Sequence, residues 1–120
     1  MMRIVLTSFV LSLMFATTAP AAQEFQTVRE QDRFVNLVSG RELTRFGIKL
    51  TVTPDGEIRG RAFGRPVSGN WQWSDGYFCR TLFYGDRDLG PNCQEVKVQG
   101  ETIRFTSDRG QGIYADLTLE

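Results

Sequence analysis

The chain has 120 residues, the size of one domain, and a formal net charge of zero. That balance does not point to nucleic acid, whose binding domains are strongly basic. Histidine is absent, which removes the commonest general base, the commonest metal ligand and every triad that needs one.

Residues 1–21 read as a secretory signal peptide. Arg3 supplies the positive start, and Ile4 to Phe15 is an apolar run broken only by Thr7, Ser8 and Ser12. The run is short for a bilayer-spanning helix, which takes about 20 residues. Ala19-Pro20-Ala21 offers the small residues of a cleavage site, and cleavage after Ala21 is expected. An uncleaved anchor is the alternative. The mature domain, 22–120, is expected in the periplasm or secreted, as a monomer without a membrane span.

A short helix is expected near 28–39. Thr27 and Glu30 have capping-box spacing, and Phe34, Leu37 and Val38 make one apolar stripe that Val35 widens. Gly40 suits the position after the last turn. The stripe is expected to cover one face or one open end of a sheet, with an exposed docking helix as the alternative.

From Arg41 the period changes to two. Leu43 to Phe46 is a short strand; Ile48, Leu50 and Val52 then alternate with polar residues. Pro54-Asp55-Gly56 is a turn, and Ile58, Gly60 and Ala62 line one face of the return strand. Trp71 to Arg80 is a hairpin about Ser74-Asp75-Gly76. Thr81 to Tyr84 follows, then a polar loop from Gly85 to Asn92. Val96 and Val98, Ile103 and Phe105, and finally Ile113, Ala115, Leu117 and Leu119 alternate on later strands. The expected class is all-β, a seven- or eight-stranded antiparallel barrel or sandwich. Trp71, Trp73 and Phe105 are expected in its core; an outward Trp pair would instead make a binding platform.

Cys79 and Cys93 are the only cysteines. Two thiols do not close a structural zinc site, and their spacing is not C-x-x-C. In an exported chain a disulfide is expected, with Cα atoms within about 7 Å.

Few constellations carry chemistry. Asp86, Asp88 and Asn92 share a loop, but the twelfth position from Asp86 is Lys97 where a calcium loop places Glu. Gly60, Gly64 and Gly69 lack the spacing of a phosphate loop. No metal or cofactor is expected. Arg59, Arg61, Arg80 and Arg104 are expected to face away from the apolar set, as a basic stripe for an anionic partner or as a solvated exterior paired with Glu57 and Asp116. Gly69-Asn70-Trp71 is similar to the G-x-W of lipocalins.

Leu43-Thr44-Arg45-Phe46-Gly47-Ile48, Asp55-Gly56, Gly60-Arg61-Ala62-Phe63-Gly64, Gly69-Asn70-Trp71-Gln72-Trp73, Gly76-Tyr77-Phe78-Cys79-Arg80, Asn92-Cys93 and Asp108-Arg109-Gly110 together resemble a group of short exported alphaproteobacterial proteins of unknown function. The resemblance covers nearly all of the mature chain and implies fold and compartment. Members are often labelled dihydrodipicolinate reductase; the chain has no dinucleotide fingerprint, no histidine and too few residues for that enzyme. A looser resemblance is to small periplasmic inhibitors of proteases or lysozyme. The leading expectation is therefore a non-enzymatic exported binding protein, protein-interaction or inhibitor-like, whose partner is a protein or a small molecule. The alternative is a small hydrolase using carboxylates such as Glu57, Asp75 and Asp116 with arginine. A structural component of the envelope is the third.

Overall fold

The computed structural model describes residues 2–16 and 24–120. Residues 2–16 carry no secondary structure, and their apolar side chains, Leu6 and Phe9 among them, are exposed. The expected cleavage point after Ala21 lies outside the described residues. Among the described residues, no helix is long and apolar enough to cross a membrane.

A short strand β1 (Gln26–Val28) and a helix α1 (Gln31–Val38) precede eight strands. These are β2 (Leu43–Arg45), β3 (Ile48–Val52), β4 (Glu57–Ala62), β5 (Arg65–Ser74), β6 (Tyr77–Tyr84), β7 (Arg87–Gln99), β8 (Thr102–Thr106) and β9 (Tyr114–Leu119). From β2 to β9 each strand pairs antiparallel with the next, and β9 returns to β2. The sheet thus closes on itself, which decides between barrel and sandwich. A closed up-and-down barrel leaves no free edge among its eight strands.

Two-residue turns drive the meander. At the β5–β6 hairpin Asp75 and Gly76 have φ of 52° and 83°, the pair of positive values a type I′ turn requires. Opposed residues share a face in an antiparallel pair, so Trp73↔Phe78 and Trp71↔Arg80 follow from that turn.

The N-terminal elements differ from the sequence expectation. Thr27 lies in β1, opposite Lys97, and α1 starts after Glu30 with no side-chain cap bond. β6 stops pairing with β7 at Phe78↔Gln94, and β1 takes the vacated edge from Val28↔Val96 onward. Satisfying that edge outweighs one helix cap. The polar stretch 85–92 also differs: from Arg87 it belongs to β7. A bulge at Leu89 accommodates it: Leu82 pairs with Gly90 and Phe83 with Asp88, while Pro91 pairs in register with Thr81. There Gly90 has φ of 74°, and its N–H donates to Asp88 Oδ1 at 2.8 Å. Ile113, expected inward on the last strand, precedes β9 and is 84% exposed.

The core is densest under α1. Phe34 is 0% exposed, and its ring centroid lies 5.3 Å from Trp71, 5.0 Å from Trp73, 5.0 Å from Phe78 and 6.3 Å from Phe105. Val38, Leu43, Ile103 and Leu119 pack into the same cluster. The helix therefore closes one end of the barrel. Trp71 is 6% exposed and Trp73 half-buried, and each indole N–H finds a carbonyl: Trp71 to Thr53, Trp73 to Arg29, both at 2.9 Å.

Cys79 and Cys93 face each other across β6 and β7, bonded, with Cα atoms 3.9 Å apart. Cys93 sits inside β7 rather than at its start. With the partners 14 positions apart in sequence, the Cys79→Ser/Cys93→Ser double variant is expected to lose about 3 kcal/mol by the chain-entropy model. Urea unfolding of the oxidised parent and the variant checks this; equal midpoints would show that the bridge adds nothing to the ladder around it.

Candidate functional site

The barrel has two unlike ends. The connections Thr53–Gly56, Asp75–Gly76 and Gly100–Glu101 lie at the end α1 covers; Phe46–Gly47, Phe63–Gly64, Gly85–Asp86 and the stretch 107–113 lie at the other. At that second end the interior is not filled. A cavity of about 300 Å³ opens there, at the lower bound of the usual small-molecule range.

The room has a local cause. Ile58, Gly60 and Ala62 point inward from β4, as Val67, Gly69 and Trp71 do from β5. A Cβ on Gly60 would collide with the Lys49 carbonyl, and one on Gly69 with the Thr81 carbonyl. The strands approach too closely for any side chain there, so this wall contributes little volume. Leu50 and Leu82 lean over the two glycines and become part of the cavity lining, with Ile48, Phe105 and Leu117.

One arc of the wall is polar. Arg80 on β6, Gln94 on β7 and Ser107 after β8 line the same cavity. Gln94 Nε2 lies 3.4 Å from Ser107 Oγ. Arg80 Nη1 donates to the Gly90 carbonyl at 2.9 Å. The guanidinium is half-buried, and desolvation holds its pKa below the ordinary arginine value. Among the described residues no carboxylate lies within ion-pair distance of it. Arg45 and Tyr114 line the cavity as well, both largely exposed.

The four arginines named from sequence do not form a stripe. Arg80 is inside, because it opposes the buried Trp71. Arg59 and Arg61 are outside on β4, where Arg59 lies 3.3 Å from Glu57 and Arg61 donates to the Gly64 carbonyl at 3.0 Å. Arg104 is on β8, on the opposite wall. It grips Asp116 with two bonds of 2.7 and 3.0 Å, and its guanidinium lies 4.0 Å from each of the Phe25 and Tyr114 ring centroids. The hydrogen bonds from Arg104 pull the Asp116 pKa down, helped by the charges of Arg104 and Arg45.

The sequence held the signal for Arg80. Counting back from the Asp75–Gly76 turn places it opposite Trp71, and Trp71 was expected inward. Phe105 is buried at 7% on the inner face of β8.

Acidic candidates are scattered. Asp75 occupies the hairpin turn, Glu57 opens β4 beside Arg59, and Asp116 is held by Arg104. Among the described residues, no carboxylate lines the cavity. Asp86, Asp88 and Asn92 serve different places: Asp86 the turn, Asp88 the bulge, while Asn92 exchanges hydrogen bonds of 2.8 and 2.9 Å with Asp108. A second, shallower groove of about 250 Å³ runs beside the disulfide. Comparison with protein-family models, with curated proteins and with solved structures finds no match to this chain.

Proposed function

We propose that this chain is a non-enzymatic binding protein of the periplasm or the extracellular space that holds a small, largely apolar molecule in the open end of its barrel. The observation that carries the reading is the cavity of about 300 Å³, apolar on most of its wall and reached from the end that α1 leaves uncovered. The disulfide and the apolar segment near the N-terminus support export. Titration calorimetry with octanoate, 1-octanol and octylamine tests it. At least one eight-carbon chain should bind saturably, one per barrel, and Leu82→Trp should abolish that binding while leaving the far-UV circular dichroism intact. Failure of all three to bind the parent protein would overturn the reading.

A second reading, protein interaction or inhibition, is favoured by the rim. Phe46 is 94% exposed, and Phe63 and Ile113 in connections at the same end and Tyr114 at the start of β9 are exposed with it. Assays against secreted proteases and lysozymes test this one; unchanged rates at micromolar protein would count against it.

A further inference from the structure

The cavity wall is mostly apolar, with one half-buried cation on a short polar arc, and that asymmetry specifies a ligand class. We propose that the barrel takes an amphiphilic monocarboxylate, its head group on Arg80 beside Gln94 and Ser107 and its chain against Leu50, Leu82 and Phe105; this rests on the small-ligand reading above.

Three observations lead there. Arg80 is a half-buried guanidinium that gives one N–H to the Gly90 carbonyl and has no other acceptor among the described residues. A guanidinium carries five donors in a planar fork, so most of its capacity is unused. Desolvating a charge without a partner is unfavourable, and a carboxylate in bidentate geometry relieves it.

The second observation is the balance of charge. Among the described residues, two arginines and no carboxylate line the cavity. Arg45, the other cation, is exposed, so solvent screens its charge, whereas that of Arg80 is half-buried. The charge left for a ligand is therefore one, which suits a carboxylate better than a doubly charged phosphate. Gln94 and Ser107 add neutral donors on the same arc.

Size is the third. A cavity of about 300 Å³, at roughly 30 Å³ for each group the size of a water molecule, admits about ten non-hydrogen atoms. A straight chain of about eight carbons with its carboxylate has that size, and the open end lets a longer chain project.

The same three ligands separate this inference from the reading beneath it. At pH 7.5 octanoate should bind the oxidised protein at least about tenfold more tightly than 1-octanol, since a hydrogen-bonded charge pair is worth that much or more. Octylamine should bind more weakly than either. Arg80→Met should erase the preference by weakening octanoate alone, whereas Arg59→Met, on the outer face of β4, should retain it. Equal affinity for octanoate and octanol in the parent protein would overturn the head-group inference and leave the small-ligand reading standing. No binding by any of the three would overturn both. The parent comparison needs no variant, so it decides even if Arg80→Met does not fold.

Discussion

Phe34→Ala is expected to destabilise the protein by about 3–5 kcal/mol, the range for truncating a fully buried aromatic. The ring is 0% exposed and touches aromatic side chains from three strands: Trp71 and Trp73 on β5, Phe78 on β6 and Phe105 on β8. Its removal takes away more than volume. α1 has eight residues, too few to hold a helix in water without docking, and only Phe34 and Val38 anchor it fully. Small domains have total stabilities of about 5–15 kcal/mol, so the loss is a large share. Urea unfolding measures it, and amide hydrogen exchange over Gln31–Val38 should speed up alongside. A variant that unfolds at the parental midpoint would mean that the helix merely lies on the barrel.

Trp71→Ala is expected to cost a similar amount, about 3–5 kcal/mol. Besides leaving a void between Phe34 and Phe78, it leaves the Thr53 carbonyl without the indole N–H that now reaches it at 2.9 Å. Trp73 is the internal comparison. It is half-buried, stacks on Phe34 at 5.0 Å and bonds the Arg29 carbonyl near the rim of the covered end. Trp73→Ala should therefore cost less than Trp71→Ala. Melting curves of the two variants decide the order, and a reversed order would place the packing centre on the wrong ring. Because Phe34 and Trp71 are in contact, the double variant should fall short of the sum of the singles.

Much of the barrel was legible because its signals are local. Period-two alternation in 48–52 and 102–106, and a hairpin turn at Asp75–Gly76, each act over a few residues. The disulfide was legible because only one pairing exists. The failures came where a distant partner decides. Thr27 joins a strand only because β6 leaves the edge of β7 open, a fact sited some fifty residues away along the chain. Tyr77 to Tyr84 carries apolar residues on both faces, so alternation alone does not say which side Arg80 takes; register against Trp71 does. The cavity had no sequence signature, since the effect of Gly60 and Gly69 on interior volume depends on how near the neighbouring backbones come.

The meander topology also orders events in time. Around the ring every pairing joins strands consecutive in sequence except β2 with β9. Hairpins form early, because their loops are short, whereas the β2–β9 seam must wait for the two extremities of the barrel to meet. The seam is brief: Leu43↔Leu119 and Thr44↔Thr118, prolonged by reciprocal bonds between Glu42 and Glu120. Until it seals, β2 and β9 are two raw edges able to recruit the same edges of another chain. The interval before sealing is thus the period of greatest exposure to strand exchange and aggregation, and a few residues at the seam govern how long it lasts.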